Sequence, residues 1–171
     1  MLTQAQRITL HADAIAQPSL ALAITNGDDQ IIADFYNAMV TPSFIAWRTS
    51  VDKDEYQDQV SLTGTSFSWS GTGGFIQRSP GELSAWRELF GVDNKVNPSQ
   101  ANVITAFNDI FSGSGAQAQN NRAHLLALSK RSTTLAEKLL ATGTGSDASP
   151  AKMTFEGIVS VQEAGLIRVG E

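Results

Sequence analysis

Apolar positions recur at helical spacing along most of the chain, and short polar segments rich in Gly, Pro and Asn separate the runs. The fullest run follows Asn120-Asn121-Arg122. Leu125, Leu128, Leu135 and Leu139 lie close to the spacing of one buried stripe, with Lys130, Arg131 and Lys138 largely off it. The pattern predicts a helix over 120–142 that stops at Ala141-Thr142-Gly143, with Gly143 just past its end. A polar loop, Thr144 to Pro150, comes next. Alternation over Met153 to Val161, with Met153, Phe155, Val159 and Val161 on one side, predicts a strand, and Leu166 to Val169 a short final one.

Toward the N-terminus the punctuation marks helix starts. Thr3 with Gln6 has the form of a capping box opening a helix over 4–16, ended by Gln17-Pro18. Ser19 to Thr25 is apolar but short, and Asn26-Gly27 makes a turn. Asp28 is placed to cap a helix carrying Ile31, Ile32, Phe35, Tyr36 and Met39. Thr41-Pro42 reads as a cap with Pro at the first helical position, opening a brief turn from Phe44 to Trp47. Ser79-Pro80-Gly81-Glu82 and Asn97-Pro98-Ser99-Gln100 follow the same logic, for helices over 80–90 and 98–112. Their buried faces are Leu83, Trp86 and Phe90, then Val103, Ala106, Phe107, Ile110 and Phe111. Before them, Val60, Leu62, Phe67 and Trp69 alternate with Ser and Thr around Thr63-Gly64-Thr65. That pattern predicts a β-hairpin of 59–63 and 66–70, closed by Gly71-Thr72-Gly73-Gly74. A lone hairpin is barely stable in water, so it must pack on the helices or on another chain. The expected fold is mainly α: a helical bundle over 1–142 with a β-hairpin insertion at about 59–76, then a flexible loop and extended C-terminal β arm over 143–171.

Composition changes this picture little. At 171 residues and 42% hydrophobic the chain is large enough for a real core, and no run reaches the length of a membrane helix. Met1 to Gln17 carries Asp13 and lacks the basic-then-apolar form of a secretory signal. Without cysteine there are no disulfides, thiolate metal sites or cysteine nucleophiles, which suits synthesis in a reducing cytoplasm. A net charge of −5 argues against a general nucleic-acid binder. Charge is uneven: residues 1–60 hold three basic and eight acidic residues, and residues 120–171 hold six and five. Arg122, Lys130, Arg131 and Lys138 therefore form a candidate basic helix face, for phosphates or an acidic neighbouring subunit.

Chemistry is harder to find. His11 and His124 fall on different expected helices without metal-ligand spacing. Asp52, Asp54, Glu55 and Asp58 lack the Gly and terminal Glu of a calcium loop. Neither Gly71–Gly74 nor Gly143–Ser146 is followed by the Lys of a P-loop, and no Gly-x-Ser-x-Gly elbow occurs. The expectation is a protein without catalytic residues, metal or cofactor. Trp69 on the hairpin is the best candidate for an interface anchor. Phe155, Val159 and Val161 on the C-terminal strand are candidates to dock a partner by strand addition.

The blocks Phe107-Asn108-Asp109-Ile110-Phe111-Ser112-Gly113, Asn121 to Leu128, Leu139 to Pro150 and Phe155-Glu156-Gly157, with Trp47-Arg48-Thr49 and Ser79 to Trp86, resemble a family of small proteins from the structural-gene clusters of tailed bacteriophages. In size, helical content and extended C-terminus that family is similar to head-to-tail adaptor (connector) proteins. The resemblance implies a non-enzymatic virion protein at the head-tail neck. It implies a twelve-subunit ring beneath the portal protein, in contact with tail or nozzle proteins, through which genomic DNA passes. The alternatives are another neck or tail-completion protein or, from a different class, a DNA-binding packaging or regulatory module.

Overall fold

The computed structural model describes residues 1–171; 52% of them are helical, in nine helices, with only short strand pairs beside them. The protein is mainly α. No helix is long and apolar enough to cross a membrane. The chain divides into two units: Met1–Ala46 with Ser132–Glu171, and Trp47–Arg131. The C-terminal residues thus belong to the first unit, and the boundary expected near residue 142 is not where the chain divides.

The first unit contains α1 (Gln4–Ala16), α2 (Ala21–Asn26), α3 (Asp29–Asn37), α8 (Leu135–Leu140) and α9 (Val161–Val169). The second contains α4 (Lys53–Asp58), α5 (Pro80–Phe90), α6 (Ala101–Ile110) and α7 (Ala116–Leu128). Strands β2 (Val51–Asp52) and β3 (Lys95–Val96) pair antiparallel in the second unit, Val51 opposite Val96 and Asp52 opposite Lys95. β1 (Ile45–Trp47) and β4 (Lys130–Ser132) form a second two-stranded sheet.

In the first unit α1 opens with the expected box: Gln6 N–H donates to the Thr3 hydroxyl at 3.3 Å and Thr3 N–H to the Gln6 side chain at 2.9 Å. Leu10 and Ala14 turn inward onto Leu20, Ile32, Tyr36, Ala164 and Ile167. The Tyr36 hydroxyl reaches the Leu10 carbonyl at 2.7 Å and the Asp13 carboxylate at 3.1 Å, and burial followed by the Asp13 charge raises its pKa. α9 starts with a second box, Ser160 and Glu163, and ends at left-handed Gly170. Glu163 also accepts the Leu2 N–H at 2.6 Å, tying the N-terminus to α9. Arg168 on α9 bonds Asp29 on α3 at 2.7 Å.

The second unit packs Trp86, Phe90, Phe107 and Phe111 around Tyr56, Phe67 and Leu125. Ser79 and Glu82 cap α5 reciprocally, as expected. Asn97 bonds the Ser99 N–H and hydroxyl at 3.0 and 2.6 Å, a turn that precedes α6 but does not cap it. His124 is fully buried, its Nε2 at 2.7 Å from the Tyr56 carbonyl and its Nδ1 at 3.0 Å from that of Thr65.

Five expectations need correction. The helix over 120–142 is three elements, α7, β4 and α8. The Ser129 hydroxyl turns back onto the Leu125 carbonyl, and Thr134 with Glu137 forms a capping box that starts α8 afresh. No hairpin forms at 59–70: one tight turn, with Ser61 N–H to the Thr65 carbonyl at 2.8 Å, replaces it. Helix α7 takes the place of the missing strand. Asn121 accepts Ser68 N–H at 2.6 Å and donates to the Ser68 carbonyl at 3.0 Å, and Asn120 donates to the Ser66 carbonyl at 2.7 Å. Val60 and Leu62 consequently face solvent.

The C-terminal strand and arm are absent too: 153–160 holds no regular strand, and 161–169 is α9. Its backbone is met by Asn37, which donates to the Val159 carbonyl at 2.9 Å and accepts the Val159 N–H at 2.8 Å. The final strand over 166–169 is the last part of α9. Thr41-Pro42 is a cis peptide and opens no helix; Ile45 instead pairs its N–H with the Gly145 carbonyl at 2.7 Å, in strand β1.

Asn121→Leu keeps the branched shape but leaves the Ser68 N–H without its acceptor, an expected loss of about 1–3 kcal/mol. The check is a lower urea midpoint at unchanged slope; an unaltered midpoint rejects the role given to Asn121.

The Glu163 carboxyl is held below its usual pKa. Burial pushes the pKa up, but bonds from Leu2 and Ser160 and the N-terminal charge together outweigh burial. A carboxyl with a depressed folded pKa stabilises above its unfolded value, near 4.3, and that contribution is lost as pH falls through the folded value. Glu163→Gln should therefore melt below the wild type at pH 7, with the gap closing as pH drops from about 5 toward 3.

Candidate docking site

The aromatic residues of the second unit do more than fill its core. Trp69 leaves the loop after Phe67 and remains 45% exposed, while its ring packs edge-on against Phe67 and Phe75, each 5.3 Å away. Hydrogen bonds across the loop hold it there: Phe75 N–H to the Ser68 carbonyl and Ile76 N–H to the Trp69 carbonyl, both 3.0 Å. The return is tight enough to demand glycine, since a side chain at Gly74 would place its Cβ 2.5 Å from the Ser70 carbonyl oxygen. Behind Trp69, Phe75 stands 5.6 Å from Trp86, which α5 anchors in the core against Phe90 at 4.7 Å.

These rings and Leu83 form a groove of about 230 Å³ between α4 and α5. Lys53 and Gln57 on α4 and Arg87 on α5 complete its lining. Neither the Lys53 ammonium nor the Arg87 guanidinium has an ion-pair partner, and Arg87 is exposed. The Trp86 indole N–H, buried beside the groove, has no acceptor within the chain. An apolar floor with two uncommitted cations at its edge is suited to an apolar or aromatic side chain flanked by carboxylates. A larger, shallower groove of about 520 Å³ runs along Thr49, Glu88 to Asp93 and Lys95 to Asn97. Its mixed charges and single ring, Phe90, make it the poorer anchor site.

The other sequence candidates have structural work. Phe155 is 7% and Val159 1% exposed, both within the core of the first unit, so neither is free to dock a partner. Val161 is half-exposed, on the first turn of α9. The alternation that predicts a strand for all three reports a one-sided apolar pattern without saying what covers it.

The basic residues do not form one helix face, because they lie on three elements. Arg122 on α7 donates to the Phe111 and Gly113 carbonyls, and Arg78 to those of Ile110 and Ser112 at 3.3 Å each. Two guanidinium groups thus satisfy the carbonyls left over at the C-terminus of α6. Lys130 and Arg131 are on β4, Lys130 lying over the Trp47 ring at 5.7 Å; Lys138 on α8 lies over Phe44 at 6.0 Å.

Two of the four acidic residues at 52–58 are paired as well. Glu55 forms a two-pronged ion pair with Arg48, and Asp52 lies 4.0 Å from Lys95. No three His, Cys, Asp or Glu residues come together as metal ligands. Sequence reasoning singled out Trp69 but not Lys53 or Arg87, which only the packing of α4 beside α5 brings to the same groove. Compared with protein-family models, curated proteins and solved structures, the chain has no match among any of the three.

If Lys53 and Arg87 serve a partner rather than the fold, neutralising both (Lys53→Gln with Arg87→Gln) should move stability by no more than about 0.5 kcal/mol. Thermal and urea unfolding check this. A loss beyond about 1 kcal/mol would make them part of the fold and remove the groove's charged edge from the docking argument.

Proposed function

We propose that the chain is a non-enzymatic virion structural protein, a head-to-tail adaptor of a tailed bacteriophage, that grips its neighbour through the Trp69 groove. The observation that carries the reading is that groove: an exposed tryptophan over an aromatic floor, edged by two cations that no residue of the chain neutralises. Tryptophan and arginine are the residues most often found to dominate the energy of protein interfaces. On a chain of net charge −5, two free cations beside an apolar slot favour an acidic, apolar segment of another protein. The phage setting, the portal and tail or nozzle partners, the twelve-subunit ring and the passing DNA come from the family resemblance. The C-terminal arm lends no support, because Phe155 and Val159 are committed to the core.

The test is made in the phage that encodes the chain. Trp69→Asp with Arg87→Glu should leave the purified protein folded, while filled heads and separate tails accumulate and infectious titre falls at least a hundredfold. Mass spectrometry of wild-type particles should find the protein. Its absence from particles, or normal titre in the double variant, overturns the proposal.

A further inference from the structure

The outward face of α1 is built the wrong way round for a helix that meets water. Its titratable residues are turned toward the protein and bonded there. Arg7 donates to the Leu2 and Glu171 carbonyls at 3.0 and 2.6 Å, and the His11 Nδ1 lies 2.7 Å from the Ile167 carbonyl. Asp13 bonds Tyr36 and Gln17, each at 3.1 Å. The exposed positions of α1 carry no charge. At their centre run Ala5, Ile8, Ala12 and Ile15, spaced three, four and three residues apart, with Ile8 51% and Ile15 64% exposed. The neighbouring Thr9 hydroxyl is spent on the Ala5 carbonyl at 3.0 Å. A surface helix normally shows the reverse arrangement, apolar stripe inward and charge outward.

We propose that this face is covered by the same face of a second copy of the chain, the two α1 helices lying antiparallel about a two-fold axis at the level of Leu10. The order of large and small residues selects that partner and that direction. Ile8 and Ala12 lie two residues either side of Leu10, and Ala5 and Ile15 lie five either side. Antiparallel pairing therefore sets each Ile opposite an Ala of the other copy, at the close axial distance of about 8 Å that such pairs allow. Parallel pairing would set Ile against Ile and Ala against Ala, propping the helices apart at one level and leaving a gap at the next. With no charge on either side, nothing is stranded when water leaves.

The contact is isologous and closes at two copies. Four positions on one helix are a small seam beside the roughly 1,200–2,000 Å² of a lasting interface, so the expected association is reversible, on the order of 0.1 mM. This inference rests on α1 alone and uses neither the Trp69 groove nor the family resemblance; a two-fold pair is not the contact by which subunits of a cyclic ring meet.

Sedimentation velocity on the full chain should show dimer growing with concentration across about 0.01–1 mM. Ile8→Glu, at an exposed position, should leave the melting curve unchanged and weaken association at least tenfold. Direction is read by disulfide trapping, because the chain has no cysteine of its own. Ile8→Cys and Ala12→Cys proteins, mixed and oxidised with copper phenanthroline, should give the 8–12 cross-link well above 8–8 and 12–12. A monomer throughout that range, an Ile8→Glu protein that associates like the wild type, or an excess of like-with-like cross-links overturns the proposal.

Discussion

A buried peptide N–H or carbonyl needs a partner, and two asparagine side chains supply that partner here where strands would otherwise be required. Asn37 on α3 takes both the N–H and the carbonyl of Val159; Asn121 on α7 takes both from Ser68. A carboxamide offers one donor and one acceptor on the same planar group, as a peptide bond does, so each behaves as one residue of a neighbouring strand. In the first unit this places Phe155 and Val159 in the core beside α1 and α3. In the second it fixes the loop that presents Phe67 inward and Trp69 outward. The candidate docking site is therefore a consequence of Asn121 as much as of the aromatic residues.

That substitution also explains where sequence reading failed. Alternating residues at 60–70 and 153–160 did signal non-helical chain with one apolar side, but alternation does not say which group meets the backbone. Strand pairing was the natural assumption, and Asn120-Asn121 was read as the start of a helix when it lies within one. Helix starts were legible where a box stood at the edge of a polar segment, as at Thr3 and Gln6 or Ser79 and Glu82. Two further boxes with the same geometry, Thr134 with Glu137 and Ser160 with Glu163, went unread. The first lies inside what looked like one continuous leucine stripe, and the second inside an apparent strand; in both places a local cap outweighed the longer-range pattern.

The basic residues teach a related lesson about charge. Counting cations along a supposed helix suggested a surface for phosphate, yet Arg122 is turned onto the end of α6 and Lys130 and Lys138 lie over aromatic rings. The cations left without partners at a groove, Lys53 and Arg87, were unremarkable in sequence because nothing near them in the chain shares their role. A charge becomes informative about a partner once its neighbours in space are known and found not to neutralise it.

α1 carries that reasoning to its limit. Its sequence has a correct capping box and enough apolar residues for a core helix, and either Leu10 with Ala14 or Ile8 with Ile15 could have supplied the buried stripe. What decides between them is the polar side chains. With Leu10 inward, Arg7 and His11 meet backbone carbonyls and Asp13 meets the Tyr36 hydroxyl. The bonds these groups make orient the helix, and the isoleucines are left outside as the remainder. An apolar surface produced in this way need not have been selected for burial within the subunit at all. The inward bonds account for its freedom from charge; its symmetry about Leu10 is what the proposed pairing with a second copy adds a reason for.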